Sequence, residues 1–248
     1  MTRQDLRHQG EAMLRTLFGT TTQTPGLANL LTEAAYGGIW TRPGLSVQDR
    51  LICAIAALGV GPRLKALRRH IGAGLDHGLG ADSIREILVQ ASLYSGFSAA
   101  EETLELAAEI FTARGIPFPA DPPETASLED LDRHGAALMA SLHGARATQG
   151  YASPDNPVTG QLYPSAIRYG YGEIWARPGL EHRQRALVAV ACFTALRLPE
   201  QVAKFGQSAL NIGLTKTQVL EAIIQTAPLT GFPPALNALG AISSAFAA

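Results

Sequence analysis

The chain has 248 residues, 46% of them apolar and 17% charged, with a formal net charge of -1 at pH 7. That balance gives no electrostatic case for nucleic acid or an anionic membrane surface, and it leaves core enough for one large domain or two of about 120 residues. The longest nearly apolar run, Ala186 to Leu196, is about half the ~20 residues a membrane span needs, and Met1-Thr-Arg-Gln-Asp-Leu-Arg-His opens with alternating charge rather than a signal core, so a cytoplasmic protein with no membrane partner is expected.

From the start, Gln4 to Phe18 sets Leu6, Met13, Leu14 and Leu17 on a helical stripe with the small Gly10 between them, and Gly19 ends it. Tyr36 to Leu45 then reads Tyr-Gly-Gly-Ile-Trp-Thr-Arg-Pro-Gly-Leu, and Tyr171 to Leu180 repeats it as Tyr-Gly-Glu-Ile-Trp-Ala-Arg-Pro-Gly-Leu. The same shift of 135 residues carries Arg50 onto Arg185, Gly78-Leu79 onto Gly213-Leu214, Glu86 onto Glu221, Gln90 onto Gln225 and Gly96-Phe97 onto Gly231-Phe232. The chain is a duplication, and two copies of this length read as a fused dimer rather than a solenoid. Copy one is expected over residues 1–114, a proline-stiffened linker over 115–129 and copy two over 130–248.

Within copy one, Ser46 is the expected cap of an apolar helix through Leu51, Ile52, Ile55 and Leu58, broken at Gly61-Pro62. Arg63 to about His77 is amphipathic, with Leu64, Leu67, Ile71 and Leu75 on one side and Lys65, Arg68 and Arg69 on the other, and Gly78 stops it. Asp82 is the expected cap of the next helix, matched in copy two by Thr215 with Gln218, and Ser98 with Glu101 opens the last helix of the copy. Leu131 to Leu142 answers the first helix, but at a shift of 125, with Gly135 on Gly10. The ten extra residues belong to a loop around Tyr151 to Tyr163 with turn signals at Pro154-Asp-Asn-Pro157. No window alternates as a strand does, so the fold class is all-α, two tandem helical domains forming an intrachain pseudo-dimer.

These residues resemble the carboxymuconolactone decarboxylase family, its γ-carboxymuconolactone decarboxylase branch more than its alkylhydroperoxidase branch. The likeness lies in Gly37 to Leu45, Arg50, Leu67-Arg-Arg-His70, Gly78-Leu79, Glu86-Ile-Leu and Ser92-Leu-Tyr-Ser-Gly-Phe97, and covers nearly all of each copy. It implies helical subunits that assemble as a hexamer built from dimers, for which three fused chains would serve. It also implies cofactor-free loss of CO₂ from a carboxylated lactone. The peroxidase branch's Cys-x-x-Cys is absent, since Arg63 and Ala66 stand at those places. The branch histidine is present as His70 but is Phe205 in copy two, Tyr94 is answered by Leu229, and the branch glutamate survives as Glu173 but is Gly38 in copy one.

Decarboxylating such an acid needs cations for carboxylate and oxyanion, an acid for the carbon, and apolar walls. His70, Glu173 and Tyr94 are the candidate catalytic groups, drawn from both copies into one composite pocket. Arg42 and Arg177, beside Trp40 and Trp175, are candidates for bidentate carboxylate recognition or, equally, for capping and stacking roles. Arg50 and Arg185 open apolar helices and require an anionic partner, substrate or an internal glutamate such as Glu86 or Glu221. His8, His77, His134, His143 and His182 are read as structural, and Cys53 and Cys192 as small buried hydrophobes. No metal-ligand spacing and no phosphate loop occur, so no cofactor is expected. The alternatives left open are an isomerase, cyclase or lyase of secondary metabolism on this scaffold, and a non-catalytic ligand-binding or assembly protein.

Overall fold

The computed structural model describes residues 1–21, 24–153 and 155–247, and among these there is no strand. Pro154, one of the expected turn residues, lies outside the described residues. Copy one runs α1 (Arg3–Phe18), α2 (Ala28–Leu30) continuing as a π turn over Leu31–Gly37, α3 (Val47–Gly59), α4 (Leu64–Asp76), α5 (Ala81–Ser95) and α6 (Phe97–Ala113). Copy two answers with α7 (Leu128–His143), α8 (Tyr163–Ser165) continuing as a π turn over Ala166–Glu173, α9 (His182–Ala195), α10 (Pro199–Asn211), α11 (Lys216–Thr230) and α12 (Phe232–Ala247). The longer loop of copy two becomes short 3-10 turns at Gly144–Thr148, Gly150–Ala152 and Thr159–Gln161.

The caps follow local chemistry. Ser46 accepts the Asp49 amide at the head of α3, and Thr215 with Gln218 closes a reciprocal capping box on α11. Two expected starts move. α5 begins at Ala81 behind Gly80, leaving Asp82 in its first turn, where a carboxylate favours the helix dipole. α6 begins at Phe97 behind Gly96, ahead of Ser98, because Gly96 at φ 92° makes the turn that separates it from α5.

In each copy the first helix packs so closely on the π turn that only glycine fits. A Cβ on Gly10 would lie 1.9 Å from the Thr32 carbonyl oxygen and one on Gly37 2.1 Å from that of Leu6. Gly135 and Gly172 repeat the pair in copy two, at 2.5 Å from Ile167 O and 2.1 Å from Leu131 O. Gly135→Ala is therefore expected to cost about 2 kcal/mol or more, since a backbone carbonyl cannot step aside as a side chain does. A urea midpoint equal to the parent's would contradict this close packing.

The copies join through α3 and α9, which cross at the pseudo-two-fold and bury every residue from Leu51 to Gly59 and from Arg185 to Thr194. The run Ala186 to Leu196 needs burial on several sides, and α3, α5, α10 and α11 supply it within the chain. That leaves the expected trimer without its original motive. Cys53 and Cys192 sit in this seam, where burial pushes both thiols up from their ordinary value, Cys192 with Sγ 3.6 Å from Ala56 O. No described helix is long and apolar enough to cross a membrane.

Candidate active site

The repeated Arg-Pro-Gly-Leu turns define the ionic frame around the site. Gly44 and Gly179 take φ values of 101° and 103°, and a Cβ there would press on the side chains of Glu221 and Glu86, at 3.1 and 3.0 Å from Cγ. Each turn thus lies against a glutamate of the other copy. Arg42 grips Glu221 with Nε at 2.9 Å and Nη2 at 2.7 Å, and Arg50 adds Nη2 at 2.9 Å while holding Gln225 Oε1 at 2.8 Å. Symmetrically, Arg177 Nε meets Glu86 Oε1 at 3.0 Å and Arg185 Nη2 meets Oε2 at 3.0 Å. Arg50 and Arg185 also cap the turns, donating to Arg42 O at 2.6 Å and Arg177 O at 2.7 Å. The anionic partner that these helix-opening arginines require is thus an internal glutamate. The carboxylates that Arg42 and Arg177 clamp are protein carboxylates, so the expected substrate-binding set is engaged in joining the copies.

The pairing is unequal. Glu86 also accepts from Arg85 at 3.0 Å, and Arg85 and Arg177 reach Ala120 and Asp121, which pins the linker. Leu220 stands at the place of Arg85 in copy two.

Beside this frame each copy builds an aromatic nest. In copy one Tyr36, Trp40 and His70 stack in sequence, and Phe18 sets an edge against His70 at 5.4 Å and against Tyr36 at 5.8 Å. In copy two Tyr171 stacks on Trp175, and His143 sets an edge against Phe205 at 5.1 Å and Tyr171 at 5.7 Å. The second nest extends across the seam, since Tyr94 of copy one packs on Phe193 at 4.5 Å and Phe193 on Phe205 at 4.8 Å.

Tyr94 makes the two nests chemically different. Its oxygen receives Gln90 Nε2 at 3.2 Å, and the Trp175 indole, which only donates, lies on the same side. Burial raises the phenol above its ordinary value, so it stays protonated, and among the described residues its own proton has no acceptor. In the other half Leu229 replaces this phenol, and there both Gln225 Nε2 and Trp40 Nε1 are buried without a partner. One leucine thus accounts for two unpaired donors.

The expected composite site is accordingly divided. Tyr94 joins Trp175, and through Gln90, Arg185 and Glu86 it is linked to Arg177. Glu173 is half-buried next in the chain to this nest, with no bonded partner among the described residues. His70 lies in the other nest, with Nδ1 on Ala66 O at 2.8 Å and Nε2 unpartnered. The physical reason is the crossing of α3 on α9, which sends α5's Tyr94 to the neighbouring copy while α4 keeps His70 at home.

The histidine in the second nest is His143, which the sequence reading set aside as structural. Its Nδ1 is 2.7 Å from Ser208 Oγ and its Nε2 3.0 Å from the Tyr171 hydroxyl. It lines a cavity of about 330 Å³ together with Arg146, Tyr163, Lys204, Phe205 and Met139. Among the described residues no group of three or more His, Cys, Asp or Glu side chains is placed to hold a metal.

Burial holds the His70 imidazole down at about 4 against its ordinary 6.5, and burial with the Arg146 charge holds His143 at about 4. A histidine kept neutral in the fold contributes fully above its unfolded pKa, and that contribution is lost as pH falls from about 6.5 to about 4. For buried His70 the loss is on the order of 3 kcal/mol. Asp130, held at about 2 by Ser127 and Arg133, acts only below that window. Urea melts are expected to weaken steadily between these pH values, and His70→Phe, which installs copy two's residue, should flatten the fall. An unchanged slope in the variant would count against a neutral buried His70.

The carboxymuconolactone decarboxylase family pattern matches residues 25–109 and again residues 161–243. The 4-carboxymuconolactone decarboxylase of Acinetobacter baylyi is 34% identical over 88 residues, spanning 36% of this chain and 66% of that protein. The nitrosuccinic acid decarboxylase of Metarhizium robertsii is 27% identical over 71 residues, 29% of this chain and 50% of that protein. Both alignments cover less than two thirds of the relative's length. A crystal structure assigned to a gamma-carboxymuconolactone decarboxylase subunit of Burkholderia xenovorans shares the fold, with a TM-score of 0.55 at 17% identity over 97% of this chain and 95% of that one. With the family pattern present once in each copy and over more than half of the residues, this chain belongs to the carboxymuconolactone decarboxylase family as two fused members.

Proposed function

We propose that the protein is a cofactor-independent decarboxylase of a small carboxylated acid, such as a carboxylated lactone or a related vinylogous β-keto acid, and that the reaction runs in copy two's half. The observation that carries this reading is the Tyr94 phenol, held by the Gln90 N–H beside Trp175, with no acceptor for its own proton among the described residues. As the bond to the carboxylate breaks, CO₂ leaves and the electron pair moves into the conjugated group of the substrate. Tyr94 O–H donates to the oxygen on which that charge develops. Phe193, Phe205 and the Trp175 face exclude water, which favours loss of the charged carboxylate. Glu173 remains beside Trp175 as a group able to carry a proton.

The names of the two relatives support the class of substrate. Each describes an acid whose remaining carbon lies near a carbonyl or nitro group, so the electron sink resides in the substrate and no cofactor has to provide one. The same stabilised carbanion would serve an isomerase or lyase, which the unequal halves also suit. Purified protein incubated with 4-carboxymuconolactone and with nitrosuccinic acid is expected to release CO₂ from at least one, with activity intact after chelator treatment. Product without CO₂ would favour the isomerase or lyase reading, and loss of activity restored by one metal per chain would overturn the cofactor-free one.

A further inference from the structure

We propose that the histidine of the working half is His143, not His70, and that the cavity it lines receives the carboxylate end of the substrate against Arg146, with Phe205 the wall it shares with the stack of Phe193 and Tyr94. This rests on the decarboxylase reading above and assigns it a site.

The two copies have exchanged a histidine and a phenylalanine. Phe18 is the last residue of α1 and His143 the last of α7; His70 is the seventh residue of α4 and Phe205 the seventh of α10. Each nest therefore keeps one imidazole set edge-on to one phenyl ring, at 5.4 Å and 79° in copy one and at 5.1 Å and 76° in copy two. What differs is what the imidazole touches. His70 bonds only to its own helix, and the Arg69 guanidinium lies 3.7 Å over Phe18, closing that side.

His143 is bonded on both nitrogens to hydroxyls. Ser208 donates to Lys204 O at 3.0 Å and accepts from Arg146 Nη2 at 3.1 Å, so the imidazole donates from Nδ1 to Ser208. Nε2 then carries the lone pair and accepts from Tyr171. Ala73 occupies the place of Ser208 in copy one, so this tautomer lock exists in copy two alone.

The cavity has the right charge for a carboxylate. Arg146 bonds to Lys204 O and Ser208 Oγ but to no carboxylate among the described residues, and it lines the cavity with His143 and Lys204. Phe205, Met139 and Ala152 supply apolar wall, and the loop that carries Arg146, Gln149 and Ala152 is the one lengthened in copy two. With an anion bound, the imidazole takes a proton from solvent. When the carbon–carbon bond breaks and CO₂ leaves, the imidazolium at the cavity wall gives that proton to the carbon, so one proton is consumed per CO₂ released.

The test uses the full-length protein and succinate, a dicarboxylate with no conjugated group to receive the electron pair. Imidazole signals followed by NMR, with His143 assigned from His143→Gln, are expected to shift for His143 and not for His70 as succinate is added. Arg146→Ala should weaken succinate by about tenfold or more. On a turned-over substrate His143→Gln should lower the rate by roughly 10²-fold to 10⁴-fold and remove the fall in rate that the parent shows as pH rises. If His143→Gln does not fold, His143→Phe installs the ring that copy one already packs there. Absence of succinate binding, a shift at His70 instead, or unchanged affinity in Arg146→Ala overturns the site. If succinate binds at His143 but the parent releases CO₂ from neither 4-carboxymuconolactone nor nitrosuccinic acid, the site stands as a carboxylate-binding site and the decarboxylase reading falls.

Discussion

Glu86→Ala is expected to lower stability by about 3–5 kcal/mol, the largest effect of any single substitution outside the apolar seam. Glu86 and Arg185 are both fully buried, so removal of this carboxylate strands the Arg185 charge, and Arg85 and Arg177, which share it, keep only the exposed Asp82 at 3.6 Å and Asp121 at 3.4 Å. The loss comes from the uncompensated charge left behind rather than from the worth of the pair, so a well-packed apolar replacement of the whole cluster need not be destabilising. Glu221→Ala should cost less, because it holds only Arg42 and Arg50 and the Arg42 side chain is 43% exposed. Urea denaturation followed by circular dichroism measures both. Equal small losses, below about 1 kcal/mol each, would mean that α3 on α9 holds the copies together without the ionic frame.

Tyr94→Phe is expected to reduce turnover by roughly 10²-fold to 10³-fold with the fold kept, the range for losing one donor to a developing oxyanion. The ring and its contact with Phe193 survive the change, and Gln90 keeps its bond to Arg185 O at 2.8 Å. Only the hydroxyl is lost, together with the partner of the Trp175 N–H. Loss of turnover should appear in kcat more than in KM, since the interaction strengthens as charge develops. A variant as active as the parent would remove Tyr94 from the chemistry.

Most of the fold was legible from the duplicated decapeptide and the helical stripes, because an amphipathic helix writes its buried face into the sequence at a fixed period. The π turns were not, since they go with the close packing of the first helix of each copy at Gly10 and Gly37 and at Gly135 and Gly172, which no local pattern records. The arginines were legible as needing anions, and Glu86 and Glu221 as internal candidates, but which copy supplies which partner depends on how α3 crosses α9. The role proposed for His143 was not legible for a specific reason. It lies before the ten-residue change of shift, so the main register never sets it against Phe18, and a histidine ending a helix has an ordinary reading as a favourable charge at the dipole's negative end. The informative signal was the pair of exchanges taken together, His70 against Phe205 and Phe18 against His143, each unremarkable alone.

The claim that only copy two's half is catalytic is tested most directly by kcat/KM of Trp175→Phe and Trp40→Phe on the best decarboxylated substrate. The Trp175 indole N–H acts on the Tyr94 phenol, whereas Trp40 Nε1 is buried with nothing to hold. The two substitutions remove the same atoms from the same turn of the two copies, so packing losses are matched. The expected result is a loss of about tenfold or more in Trp175→Phe and a change within about twofold in Trp40→Phe. Equal losses in the two variants, or a larger one in Trp40→Phe, would contradict a single working half.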